Sequence, residues 1–255
     1  IDQLSDRYGL DDVLRRYQES GAARPYYELA VSTQFRLTPL VAPRLTGLLD
    51  DTDDPVPFRE TGDGPPGHPC VFVRGRCGLR DVIVQQGRFH AYEGFNLDRL
   101  VRPIDALYAM GVRAIVFTNA AGGLRPEMEP GQLAAATEVV AWPFRRFVLP
   151  DTIPTDFAVP GCDHAGTHAW MHGPCYETRA EIHALQCARA ATVGMSAAPE
   201  LARCRELGVR AAVVSCITNN CCAVAPLSHE HVLDVAAKAS RRLAYVLRTW
   251  LGREE

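Results

Sequence analysis

Five short stretches carry residues able to bind and react. In Gly87-Arg88-Phe89-His90-Ala91-Tyr92-Glu93-Gly94, Arg88 and His90 are alternate residues after an apolar run. If the extended geometry continues they point the same way, so a bidentate guanidinium fork and a ring N–H can hold one oxyanion. In Gly173-Pro174-Cys175-Tyr176-Glu177-Thr178 an aromatic ring precedes a carboxylate. That pairing suits a flat heterocycle: the ring offers a face and the carboxylate accepts N–H bonds from the heterocycle's edge. Thr118-Asn119-Ala120-Ala121-Gly122-Gly123-Leu124 offers small residues that let a ligand approach the backbone closely. Val193-Gly194-Met195-Ser196 leads into Ala197-Ala198-Pro199-Glu200, which opens a helix, so Ser196 lies close to amides that favour an anion. The fifth, Val214-Ser215-Cys216-Ile217-Thr218-Asn219-Asn220, ends a strand in carboxamides. Each has an ordinary alternative when read alone: a polar strand end, a tight turn, a core methionine, a turn-forming asparagine.

These stretches need elements to hold them. Residues 2–19 have apolar residues at helical spacing, 26–32 read as a strand, 39–49 as a short helix, and the acidic, Gly- and Pro-rich 50–66 as a surface loop. Runs at 70–74 and 81–85, separated by a turn at 75–78, predict a hairpin. A helix is expected over 96–110 with Gly111 at its C-terminal cap, then strands at 113–118 and 133–142. The stretch 143–167 reads as a long loop or lid. Strands at 168–171, 192–195 and 210–217 and helices at 177–190, 199–207 and 229–250 complete the pattern. Strands alternating with helices along the whole chain predict a single α/β domain over residues 1–255.

Composition narrows the function classes. At 255 residues, 47% hydrophobic and 22% charged, the chain can bury a sizeable core. A net charge of -3 gives no electrostatic reason to expect nucleic-acid binding. No apolar run reaches membrane-spanning length, and no signal-peptide pattern opens the chain, so a cytoplasmic protein with reduced thiols is expected despite nine cysteines. Cys162, His164, His168, His172 and Cys175 sit at ligand-like spacings, but they match no standard zinc pattern, and no metal is expected.

Together the stretches resemble the trimeric-type purine nucleoside phosphorylases, over roughly residues 65–250. The resemblance implies an α/β nucleoside phosphorylase-like fold, a mixed central β-sheet flanked by helices, assembled as a homotrimer. It implies a pentosyltransferase that cleaves the N-glycosidic bond of a purine nucleoside with phosphate as co-substrate, giving free base and pentose 1-phosphate without any other cofactor. Matched motif by motif, Arg88, His90, Ala120 and Ser196 would hold phosphate, with Ser32 and Thr33 as hydroxyl donors from the first strand. Tyr92, Met195 and His229 would orient the ribose, and Glu93 would be a supporting residue. Ala121, Gly122, Tyr176, Glu177 and Asn219 would bind the base, and Asn219, Glu177 and His90 would carry the catalysis. Asn rather than Asp at 219 implies a 6-oxopurine.

Two stretches depart from the family pattern. The segment Ala30-Val31-Ser32-Thr33-Gln34-Phe35-Arg36 lacks the glycines that would let the first strand's loop wrap an anion. The stretch from Gly131 to Gly173, where the family carries a lid and a Phe that reaches a neighbouring subunit, is short; Phe144 and Phe147 are the candidates for that part. These departures keep two other readings open: a nucleosidase or specialised enzyme acting on a modified nucleoside, and a non-catalytic purine or nucleoside sensor.

Overall fold

A computed structural model describes residues 29–33, 48–52, 55–58, 70–141, 149–223 and 229–252. The helix expected over 2–19, nearly all of that over 39–49, and Phe144 and Phe147 lie outside the described residues. In chain order the strands are β1 (Leu29–Thr33), β2 (Asp51–Thr52), β3 (Val56–Pro57), β4 (Val71–Cys77), β5 (Arg80–Gln86), β6 (Ala114–Gly123), β7 (Leu133–Ala141), β8 (Thr152–Pro154), β9 (His164–Trp170), β10 (Thr192–Gly194) and β11 (Arg210–Asn220). The α-helices are α1 (Leu97–Ala109), α2 (Arg179–Cys187), α3 (Ala198–Leu207) and α4 (His229–Leu251).

Local chemistry explains the best-defined elements. Helix α1 buries Leu100, Val101, Ile104 and Leu107 along one face, and Asn96 caps it by accepting a hydrogen bond from the Arg99 N–H at 3.0 Å. Thr178 and Glu181 form a reciprocal capping box at the start of α2. The β4–β5 hairpin runs further than its sequence predicts: Arg76 pairs with Asp81 and Cys77 with Arg80, leaving only Gly78 and Leu79 in the turn. Part of the loop expected over 50–66 is strand, because β2 and β3 both pair with β4 and cover its outer edge. The expected loop at 143–167 likewise contains β8, paired with β7, and the start of β9.

The sheet is mixed and runs β10-β9-β7-β11-β6-β1-β5-β4-β2. Its strands β1, β5, β6 and β11 are parallel, and β7 joins β11 antiparallel. Residues 119–123, expected beyond the end of a strand, continue β6, because β11 pairs along them as far as Asn220 opposite Gly123. The last two also pair with β10 on the other side: Thr192 opposite Gly123 and Val193 opposite Gly122. Since β10 is also parallel to β9, the strands β6, β11, β7, β9 and β10 close into a ring.

Both faces of the central strands are covered. On β6, Ile115 and Phe117 pack with Ile104 and Leu107 of α1 and Leu201 of α3. Ala114 and Val116 face the other way, towards Leu243 and Leu247 of α4. No described helix is long and apolar enough to cross a membrane.

The ring encloses polar side chains as well. His168 on β9 is completely buried, and its Nδ1 lies 2.9 Å from the Thr192 hydroxyl. Burial pushes its pKa from 6.5 down to about 4; the positive charge of Arg88 adds to this and a hydrogen bond to the Ser196 main chain opposes it. The unfolded chain therefore takes up this proton more readily than the folded one. The resulting stability is complete above about pH 6.5, is lost as the pH falls towards 4, and amounts to about 3 kcal/mol. Chemical denaturation between pH 7 and 4 should show the native chain losing stability more steeply than His168→Gln by that order; parallel curves would refute the burial effect.

Candidate active site

The loop after β5 places the first two polar groups. Arg88 and His90 are only 1% and 2% exposed. Arg88 Nη2 donates to the carbonyl of Thr118 on β6 at 2.9 Å, and Nη1 lies 3.4 Å from Glu200 Oε1. Glu200 stands in the first turn of α3, where its other oxygen accepts from the Ala197 N–H at 3.0 Å. One carboxylate thus ties a buried guanidinium to a helix N-terminus. Burial lowers the Arg88 pKa and the charge of Glu200 resists this; the guanidinium stays charged.

His90 is held by Glu93. The His90 N–H donates to Glu93 Oε1 at 2.7 Å, and the same oxygen lies 3.4 Å from its ring Nδ1. The imidazole stacks on Tyr92, with centroids 4.8 Å apart and planes 15° from parallel. Burial lowers the His90 pKa more than the hydrogen bond to Glu93 restores it, so the ring is neutral near pH 7. Burial likewise pushes the Tyr92 phenol up to about 12. Glu93 thus holds the His90 ring through both its backbone N–H and its side chain.

Gly173 shows where three of the motifs meet. It has φ +72, and a Cβ there would overlap the Met195 sulfur and come within 2.9 Å of the Tyr92 ring. The strip after β10, the turn after β5 and the Gly173 loop thus close on one point. Ser196 follows Met195, is 4% exposed, and directly precedes Ala197, the N-cap of α3. The Arg88–Glu200 contact brings the start of that helix, with Ser196 just before its cap, towards the guanidinium.

The other end of the site is built on a bulge. The β11–β6 register shifts between Ile217 and Asn219, which leaves Thr218 as the extra residue and re-aims Asn219. The Thr218 hydroxyl lies 3.3 Å from the carbonyl of Ala121 and 3.1 Å from Asn219 Oδ1. Asn219 Nδ2 donates to Cys221 Sγ at 3.4 Å, which fixes the carboxamide from both ends. A Cβ on Gly122 would overlap that sulfur and lie 3.3 Å from Asn219 Nδ2. Glu177 is partly buried, and burial raises its carboxyl pKa. Burial, followed by the charge of Glu177, pushes the Cys221 thiol up to about 12. Tyr176 stands at the rim, 43% exposed.

Ser32 and Thr33 occupy the end of β1, with Thr33 opposite both Gln86 and Thr118, beside the strand ends that carry Arg88 and Asn119. His229 is the first residue of α4. The side chains of Ser32, Thr33 and His229 lie outside the described residues. No three His, Cys, Asp or Glu side chains among the described residues gather as a metal site. The histidines of the ligand-like spacing are engaged elsewhere: His164 with Gln132 at 2.7 Å, His168 with Thr192, and His172 with the Gly173 carbonyl at 2.8 Å.

Sequence reasoning missed Glu200, Thr218 and Cys221. A buried arginine demands a counter-charge, and the glutamate in the first turn of α3 was a readable candidate. The two groups around Asn219 carried no such signal, because only the bulge brings them to it.

Comparison with known proteins gives this geometry a context. The family model described as "Phosphorylase superfamily" matches residues 37–161 and 163–251. The chain is similar to purine nucleoside phosphorylase 1 of Bacillus subtilis (strain 168), at 31% identity over 199 residues, 68% of this chain and 73% of that protein. It is similar to the purine nucleoside phosphorylase of Mycobacterium tuberculosis at 34% identity over 208 residues, covering 73% and 75% of the two chains. Among solved structures it resembles Schistosoma mansoni purine nucleoside phosphorylase in complex with adenosine, with a TM-score of 0.77, 25% identity and 97% of each chain covered. With the matched model spanning nearly the whole chain and relatives above 30% identity, the protein belongs to the purine nucleoside phosphorylase family, enzymes of the pentosyltransferase type.

Proposed function

We propose that this chain, as one domain, cleaves 6-oxopurine nucleosides with phosphate to give the free base and pentose 1-phosphate. The observation that carries this reading is the meeting of Tyr92, Met195 and Gly173 beside the buried Arg88–Glu200 pair and Ser196. That arrangement offers an anion subsite next to a sugar-sized apolar contact. In the reaction a phosphate oxygen bonds to the anomeric carbon as the bond to the purine nitrogen breaks, and the bonding pair leaves with the base. Arg88, His90, the Ala120 segment and Ser196 hold the phosphate against the sugar, where its charge offsets the positive charge developing there. Asn219 stabilises the departing base at N7 and Glu177 anchors its pyrimidine edge. Tyr92, Met195 and His229 orient the ribose, and Ala121, Gly122 and Tyr176 line the base. Phosphate is the co-substrate, and no metal takes part. Assembly as a homotrimer, which rests on family resemblance, and a cytoplasmic location, which rests on the sequence composition, belong to the same proposal.

Base release from inosine and guanosine, with and without phosphate, tests the reaction. Release that requires phosphate is expected. Release of equal rate without it would replace phosphorolysis by hydrolysis, the reading favoured by the missing glycines at 30–36. Saturable binding without release would make the protein a sensor.

The base preference has its own test. An aspartate at 219 accepts hydrogen bonds and donates none when ionised, so it loses the donor that Asn219 offers to a 6-oxo group. Asn219→Asp should lower the inosine-to-adenosine ratio of kcat/KM by about tenfold or more, equivalent to about 1.4 kcal/mol. An unchanged ratio would remove Asn219 as the reader of the base.

A further inference from the structure

The ring interior holds a polar cluster that this chemistry leaves unused. His168 on β9 stands opposite Thr192 on β10, and Asn119 on β6 stands opposite Ser215 on β11. The two pairs meet across the ring: the His168 imidazole places Nδ1 2.9 Å from Thr192 Oγ1 and 3.5 Å from Ser215 Oγ, and Nε2 3.2 Å from Asn119 Nδ2. All four side chains are buried. The imidazole also lies close to the backbone of Gly194, two residues before Ser196. Asn119 Oδ1 has no hydrogen-bond partner among the described residues, so His168 is the side chain that orients this carboxamide.

The ring lies close to the backbone of Gly194. A Cβ on Gly194 would sit 3.1 Å from His168 Cε1 and 3.1 Å from the Ala120 carbonyl oxygen, so glycine here lets the imidazole, the Ala120 segment and the Gly194–Ser196 segment approach closely without displacing one another. One side chain therefore lies against both stretches that border the anion subsite: through Asn119, the residue before Ala120, and through the Gly194 backbone two residues before Ser196. A neutral imidazole has one donor and one acceptor, and both are used inside the ring. It thus holds these stretches without offering a group to the reacting atoms.

We propose that His168 is a positioning residue for the phosphate subsite, its uncharged ring setting the spacing between the Ala120 main chain on β6 and Ser196 after β10. This rests on the phosphorolysis reading. The expected signature is selective: loss of the ring's nitrogens loosens phosphate and leaves the nucleoside alone, because the base-reading groups stand on the bulge of β11 and on the loop before α2.

The experiment measures KM for phosphate and for inosine, kcat, and the rise in unfolding temperature caused by inorganic phosphate. The native chain is compared with His168→Phe, His168→Gln and Thr192→Val. His168→Phe should raise the phosphate KM about tenfold or more while the inosine KM moves less than about twofold. His168→Gln, whose carboxamide keeps a donor and an acceptor, should recover part of this. Thr192→Val, which removes one hydrogen bond at nearly constant volume, should shift the phosphate KM in the same direction by less, and it serves where the ring variants do not fold. A fall in unfolding temperature with both KM values unchanged, or both raised alike, would reduce His168 to a packing residue and leave phosphorolysis standing. If the native chain binds phosphate without turning over nucleoside, phosphorolysis fails, and the proposal is judged by whether His168→Phe loses the phosphate-induced rise in unfolding temperature. A native chain that neither uses nor binds phosphate would overturn both.

Discussion

Three residues of β10 hold the sheet closed. Thr192, Val193 and Gly194 pair with β9 on one side, and the first two pair with β6 on the other. A strand this short contributes few hydrogen bonds of its own, so its position is set by the long strands on both flanks. In return it removes two sheet edges at once. The chain then leaves β10 directly into Met195, Ser196 and α3, so ring closure also fixes where the helix starts. Everything at the anion end of the site hangs on that start.

The charge at the anion end is built with opposing costs. Taking Arg88 out of water is unfavourable, and Glu200 offsets this only because it is equally buried and equally fixed. The pair does not make a strong stability argument, since well-packed apolar residues could do as well. What it supplies is a guanidinium fixed in place by the Thr118 carbonyl and by Glu200. His90 is prepared differently: burial leaves it neutral, and Glu93 and Tyr92 determine how its ring lies. A fixed cation beside an uncharged ring favours an anion without making the empty site so positive that it cannot be kept dry.

Much of this was legible in the sequence, and what was not shares a physical cause. Arg88, His90, Met195, Ser196, Glu177 and Asn219 sit in short local motifs at element ends, and it is the resemblance those motifs carry together, not any one of them, that suggested their roles. Helix α1 could be read because its period and cap are local. The ring could not, because the pairing of residues 192–193 with 122–123 depends on chain seventy residues away. The same holds for β2 and β3, two-residue strands that exist only because β4 offers an edge. His168 looked like a possible metal ligand for as long as its neighbours were taken from the sequence. Its partners, Asn119, Thr192 and Ser215, come from other strands.

The contact between Gly122 and the sulfur of Cys221 has a consequence for how this site can vary. No side chain fits at 122 while a sulfur atom stands at 221, and the amide of Asn219 lies against both. The two positions therefore share one allotment of space and are free to change only together: a methyl group gained on β6 must be matched by atoms surrendered after β11. The base pocket can thereby gain bulk from one of these two positions but not from both at once.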